Sequence, residues 1–260
     1  MIKTEIGYTT PEVITVRGKN LANDIMGKLD FVDGLMLCTL ARLPSAQEKS
    51  MLNAILVVGL DHGLTPSALA ARLTYLGAPE SLQGAVAAGL LGAGTRFLGT
   101  TQKAVLQYME FSGQIEIKTG LQGNAAIAER LIAERKGRGD KLYGYGHPIH
   151  KVFDPRVESL REISRVNGFY GANWILADAV ADSLSRRAKP LNMNASGAMA
   201  AAIGDMGLNP IFGVALMLVG RCAGLVAHLI EEEQSPIAGE IWDLVLKQDD
   251  RNRIPDRAAR

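Results

Sequence analysis

The chain has little of what marks a nucleic-acid-binding, membrane, metal or secreted protein. Its 28 Lys+Arg and 27 Asp+Glu nearly cancel to a formal net charge of +1, so there is no polybasic footprint for nucleic acid or anionic lipid. Only two cysteines occur, Cys38 and Cys222. Both fall in apolar helical patterns without CxxC or metal-ligand spacing, which predicts buried, reduced thiols and a cytoplasmic setting. The first residues, Met-Ile-Lys-Thr-Glu-Ile, lack the apolar centre of an export signal, and the longest apolar tract, Ile211 to Val219, is too short to cross a bilayer. Strand-like alternation is confined to a weak run from Glu12 to Val16. The glycine-rich run from Gly84 to Gly99 matches neither GxGxxG nor a phosphate loop; it serves either close helix packing or a ligand lying against it.

Helical periodicity accounts for almost everything else. Helices are expected from Asn20 to Leu29 and from Phe31 to Leu43, where Pro44 stops the second. Ser45-Ala-Gln-Glu48 is a capping box ahead of an apolar stripe through Met51, Leu52, Ile55 and Leu56 that delivers Leu60-Asp61-His62-Gly63 at its end. Thr65-Pro66 restarts a helix, and further helices are expected at 101–110, 124–134, 173–187, 198–206 and from Pro210 to about Ile230. Arg221 lies in that last, almost wholly apolar segment, where its permanent charge needs an anion or carbonyl partner. His228 reads as a satisfied core or surface histidine. The tail from Gln248 to Arg260 is charged and is expected to be loosely ordered or to pack on a partner subunit.

The stretch from Lys141 to Arg156, Lys-Leu-Tyr-Gly-Tyr-Gly-His-Pro-Ile-His-Lys-Val-Phe-Asp-Pro-Arg, stands apart. Gly144 and Gly146 permit positive φ or a close ligand, and Pro148 stiffens the turn that presents His147. Asp154-Pro155 reads as a helix N-cap and first residue, placing Arg156 in the first turn, where an anion is favoured. The same residues suit an ordinary Gly/Pro turn. His147 and His150 are three apart, but Pro148 between them breaks a helical presentation and no third ligand follows at zinc spacing, so no metal is expected.

Three separated motifs, Leu60-Asp61-His62, Tyr143-Gly-Tyr-Gly-His147 with Asp154-Pro-Arg156, and Gly220-Arg221-Cys-Ala-Gly224, resemble the citrate synthase superfamily in order and type. The likeness runs from about Gly18 to Val245. It is greatest to the short citryl-CoA lyase branch and to the citrate-synthase-like module of ATP-citrate lyase. The resemblance implies a mostly α, multi-helical fold with a large and a small helical domain around a cleft. Residues 1–65 and 205–260 would form the large domain, and 66–204 the small one carrying the His147 loop. It also implies a homo-oligomer, at least a dimer, with a CoA thioester and an oxo-acid as small-molecule partners, no permanently bound cofactor, no nucleic acid and no membrane.

By the same resemblance, His62 hydrogen-bonds the thioester oxygen and stabilises the enolate, while His147 meets the carbonyl or hydroxyl oxygen of the oxo-acid half. Arg156 and Arg221 hold substrate carboxylates. The backbone of Tyr143, Gly144, Tyr145 and Gly146 lies against CoA, with Lys141 beside it. Retro-aldol cleavage of a 3-hydroxyacyl-CoA needs a base for the hydroxyl proton, for which His147 suits neutral pH, and fixed donors for the enolate.

Two positions depart from the family pattern. Its catalytic aspartate is met by Asn194 in Asn192-Met193-Asn194, and an amide exchanges no proton in this range; Asp205, eleven residues on, is a poor substitute. Near Trp242, where the family often supplies another arginine, the chain has Ala238-Gly239-Glu240, which implies fewer substrate carboxylates. Three functions stay open: a citryl-CoA lyase, a lyase for a malyl- or citramalyl-CoA, and a non-catalytic CoA-thioester-binding protein.

Overall fold

The structure, a computed structural model, describes residues 2–252. A small antiparallel sheet opens the chain, with β1 (Gly7–Thr9), β2 (Ile14–Val16) and β3 (Lys19–Asn20) in that order. The described residues then form α1 (Phe31–Leu40), α2 (Ala46–Leu60), α3 (Pro66–Gly77), α4 (Leu82–Phe97), α5 (Thr100–Ser112), α6 (Gly120–Gly123), α7 (Ala125–Gly137), α8 (Pro155–Val166), α9 (Ala172–Ser185), α10 (Ala195–Asp205), α11 (Phe212–Gln234) and α12 (Ala238–Gln248). The fold is mostly α, as expected.

Local chemistry explains most boundaries. The Ser45 N–H donates to Glu48 at 2.8 Å and the Glu48 N–H to the Ser45 hydroxyl at 3.1 Å, the reciprocal bonds of a capping box. Thr65 and Asp154 cap α3 and α8, each followed by proline in the first turn. The helix expected from Asn20 to Leu29 does not form. A single π-type turn at Leu21–Ile25 replaces it, because Met26 is extended and Gly27 takes φ +73°, which ends helical propagation. Of the charged tail, residues 253–260 lie outside the described residues. Cys38 and Cys222 are free thiols, each half-buried where full burial was expected.

The chain divides into two compact units, Met1–Ile55 with Ala104–Pro210, and Leu56–Lys103 with Ile211–Arg260. The chain passes between these units within α2, within α5 and after Pro210.

In the first unit α9 is the central element, packed on α7 and α10, with Trp174, Leu176, Ala177 and Val180 fully buried. The Trp174 indole N–H donates to Ser164 at 2.9 Å, and that hydroxyl faces the Met51 sulfur at 3.3 Å, so the polar atom of the largest core side chain is satisfied. Asp205, at the end of α10, accepts from the N–H groups of Gly171, Asn173 and Trp174 and from the Asn173 amide, at 2.7–3.1 Å. It therefore supplies the N-terminal cap that α9 lacks at Gly171. Burial pushes its carboxyl above the ordinary value although all those donors pull it down.

In the second unit α3 packs on α4, α11 packs against both, and α12 lies on α3. Ala71, Ala85, Leu225 and Leu229 form a fully buried cluster. α4 is kinked at Gly94, whose φ of 50° and ψ of −163° are open to glycine. α11 spans 23 residues with an apolar window of mean hydropathy 1.8, so by length and composition it could cross a bilayer, contrary to the reading from Ile211 to Val219 alone. Within this unit it is a packing helix whose buried side includes Gly220, Arg221 and Gly224. A Cβ on Gly220 would sit 2.5 Å from the Leu56 carbonyl oxygen, and one on Gly224 would overlap the Leu60 carbonyl oxygen.

That overlap can be tested. Gly224→Ala should lose about 1–3 kcal/mol in urea unfolding through overpacking. Gly137→Ala, at a helical position with open space around it, should stay within about 0.5 kcal/mol of the parent.

Candidate active site

The stretch from Lys141 to Arg156 belongs to the first unit, where a second segment, Asn192 to Gly197, holds it in shape. Tyr145 and Met193 form an isolated antiparallel bridge. The Gly146 N–H donates to Asn192 O at 2.8 Å, and the Asn194 N–H to Gly144 O at 2.9 Å. The two strands of this clasp touch at glycines: a Cβ on Gly197 would meet Gly144 O at 2.5 Å, and one on Gly144 would meet Gly197 Cα at 2.8 Å. Gly144 and Gly146 have φ of +89° and +76°. Both glycines are thus required by backbone geometry.

Side chains complete the clasp. The Gln107 amide brackets Tyr143, accepting from its N–H and donating to its C=O, both at 3.1 Å. The Tyr145 hydroxyl donates to Ala177 O at 2.9 Å and accepts from Tyr108 at 3.0 Å; burial pushes both phenols well up. The Tyr145 side chain is therefore a core residue. Asp154 accepts from Arg156 Nε and Nη2 at 2.9 and 2.8 Å and from the Ala195 N–H at 3.0 Å, tying the start of α8 to the start of α10. Burial pushes the Asp154 carboxyl up, but the Arg156 guanidinium and the Ala195 and Arg156 N–H groups hold it below the ordinary value. Arg156 is thus aimed by Asp154 at the first turn of α8, with one edge of its fork already committed. Lys141 is exposed.

Asn194 caps α10: its Oδ1 accepts from the Gly197 N–H at 3.2 Å. Its Nδ2 donates to Gly146 O at 2.6 Å. Both ends of the amide are therefore structural bonds of the clasp, one of which a carboxylate cannot make. In His147, Nδ1 accepts from the N–H groups of Ile149 and His150 at 3.1 and 3.0 Å. The proton of the neutral ring then lies on Nε2, which in that state is a donor. The His150 ring lies 4.6 Å from it, centroid to centroid.

The second unit carries Asp61, His62 and Arg221. Asp61 accepts from the Gly63 N–H at 2.8 Å and from His228 Nε2 at 2.8 Å, with Arg221 Nη1 4.0 Å away. Burial raises its carboxyl, but the Gly63, His228 and His62 hydrogen bonds win and hold it below the ordinary value. Arg221 is buried and His62 half-buried. The link to His228 escaped sequence reasoning, because Asp61 and His228 are 167 positions apart. The only local signal was the four-residue spacing of Gly220, Gly224 and His228, one face of a helix.

Comparison with known proteins gives four findings. The model of the citrate synthase C-terminal domain matches residues 12–241. The citryl-CoA lyase of Hydrogenobacter thermophilus superposes with a TM-score of 0.82 at 31% identity, covering 100% of this chain and 98% of that one. An ATP citrate lyase of Methanothrix soehngenii, solved with citrate and coenzyme A, shares the fold at 20% identity and TM-score 0.73, over 90% of this chain and 39% of that one. Among curated relatives, citrate synthase 2 of Bacillus subtilis (strain 168) is 26% identical over 73% of this chain and 48% of its own length. The chain thus spans about half the length of the curated relatives it matches.

Two substitutions test the clasp. Asp154→Asn should cost about 1.5–3 kcal/mol at neutral pH, since it weakens hydrogen bonds to a charged group. The Asp154 pKa is lowered on folding, so its contribution is complete above the ordinary carboxylate range and is lost as pH falls through the folded value. The gap between parent and variant, followed by urea unfolding, should therefore close on acidification. Asn194→Asp puts an oxygen against Gly146 O and should cost about 1–3 kcal/mol.

Proposed function

The chain belongs to the citrate synthase family, and from that premise we propose that it forms or cleaves a C–C bond beside a CoA thioester, with citryl-CoA to acetyl-CoA plus oxaloacetate as its reaction. One observation carries this reading: the chain is similar to the Hydrogenobacter thermophilus citryl-CoA lyase over nearly the full length of both. Members of this family are enzymes.

In this reading His62 donates to the thioester oxygen and stabilises the enolate formed as the C–C bond breaks. His147, carrying its proton on Nε2 when neutral, donates a hydrogen bond to the oxygen of the oxo-acid half, which is hydroxyl before cleavage and carbonyl after it. The hydroxyl proton leaves to water as the C–C bond breaks, and the enolate carbon takes a proton from water. Arg156 and Arg221 bind substrate carboxylates through their planar forks. Lys141 and the Tyr143–Gly146 segment serve CoA. The backbone groups of Tyr143, Gly144 and Gly146 described above are already bonded within the clasp, so this contact is one of shape and charge more than of new backbone hydrogen bonds. Half-buried thiols fit a cytoplasmic protein, and Trp242, Leu244 and Val245, exposed on α12, support a homodimer at least.

A second reading is favoured by Asn194. Its amide bonds at both ends, so the family's proton-transfer carboxylate is replaced by a structural strap. Loss of a general acid or base costs about 10²–10⁴ in rate, and a CoA-thioester-binding protein without turnover would result. A less carboxylated substrate, a malyl- or citramalyl-CoA, fits the missing arginine near Trp242.

The deciding assay incubates the protein with citryl-CoA, malyl-CoA and citramalyl-CoA and follows oxo-acid release. We expect release from citryl-CoA, reduced about 10²–10³-fold in His62→Ala. Release from none, with calorimetry still showing acetyl-CoA binding, would establish the binding protein; loss of both would sink the family chemistry for this chain. Asn194→Asp should raise turnover if position 194 faces the reacting carbon and lower it, through the loosened clasp, if the residue serves the clasp alone.

A further inference from the structure

One polar chain in the second unit has no part in the chemistry above. It begins at Asp61, whose carboxylate accepts from the N–H groups of both His62 and Gly63, so the backbone on either side of the His62 side chain is tied to it. The other Asp61 oxygen meets His228 Nε2 at 2.8 Å. Across the ring, Nδ1 faces Arg72, with Nη2 at 2.9 Å and Nε at 3.2 Å. A guanidinium only donates, so Nδ1 must accept and the single ring proton sits on Nε2, aimed at Asp61. Arg72 is 1% exposed and pairs with Glu232 at 2.7 Å and with Glu231. Glu232 in turn accepts from the N–H groups of Ile237 and Ala238, at 2.9 and 2.8 Å, where α12 begins. Every member has a satisfied partner on each side, which lets such a network hold one geometry.

The backbone reinforces this. Gly220, Gly224 and His228 are spaced by four on α11; the two glycines seat that helix on the carbonyls of Leu56 and Leu60, and His228 grips the next residue, Asp61. The His62 loop is thus fixed from below by contact and from the side by the carboxylate.

We propose that His228 is a positioning residue for His62: held in its Nε2–H tautomer by Arg72, it fixes Asp61, and Asp61 fixes the peptide groups that aim the His62 ring. The proposal rests on the reading of His62 as the enolate's donor. Donors to a developing oxyanion act only within a few tenths of an ångström, and a misplacement of about 1 Å can cost about 10²-fold. His228 itself touches no substrate in this scheme.

The test uses the full chain. Ring ¹⁵N spectra of the parent should show His228 with its proton on Nε2; a proton on Nδ1 would overturn the proposal. His228→Ala should lower kcat for citryl-CoA about 10–100-fold with KM within about threefold, and should speed hydrogen exchange at the His62 and Gly63 amides. His228→Gln, whose oxygen can accept from Arg72 and whose nitrogen can donate to Asp61, should recover to within about fivefold of the parent. Unchanged kcat and unchanged exchange in His228→Ala, or no recovery in a folded His228→Gln, would count against it. A parent that turns over none of the three thioesters refutes the proposed function alone, since the tautomer and the exchange of the two amides still decide the positioning.

Discussion

Backbone lying directly on backbone is the constraint on which both groups of candidate residues depend. In the first unit Gly144 meets Gly197, and in the second Gly220 and Gly224 meet the last turns of α2. A methyl group at any of these positions would have to displace main chain, which cannot yield as a flexible side chain can. The consequence is that Arg156 and His147 on one unit, and His62 on the other, hang from segments whose position is set by main-chain contact. Side chains then need only fine adjustment.

Carboxylates supply that adjustment, and they do so by capping helix starts, some adjacent in sequence and some remote. Asp154 joins the starts of α8 and α10, Asp205 receives the first N–H groups of α9, and Glu232 those of α12. Each helix start leaves N–H groups without intrahelical acceptors, and a negative charge there is doubly favoured by hydrogen bonding and by the helix dipole. Asp205 shows the limit of the device, since its burial outweighs four donors and raises its pKa, whereas Asp154, with a guanidinium beside it, is lowered.

Local rules made the fold legible where a feature is set within a few residues. The capping box at Ser45, the Thr65-Pro66 and Asp154-Pro155 starts and the glycine turn at 144–146 follow from side-chain and φ preferences, and they form as read. The motif order from His62 to Arg221 was legible by resemblance and led to the family. The helix expected over Asn20 to Leu29 is absent because the left-handed Gly27 stops propagation that the apolar period alone would allow. Asn194 was legible as an N-cap, but its bond to Gly146 was not, since nothing within a short window predicts a partner 48 positions away. His228 is illegible in sequence for the same reason: its chemistry lies in Asp61 and Arg72, which the chain reaches only through tertiary contact.

The division of the chain bears on its synthesis. Neither unit is a continuous stretch, because the second is completed by residues after Pro210 and the first by residues after Lys103. During translation α3 and α4 emerge as a pair whose buried cluster, Ala71 and Ala85, lacks its partners Leu225 and Leu229 until α11 is made. At ordinary elongation rates that gap lasts on the order of ten seconds. For that interval the nascent chain displays an apolar helical hairpin with no lid, a state suited to chaperone capture or to pairing with a neighbouring ribosome's copy.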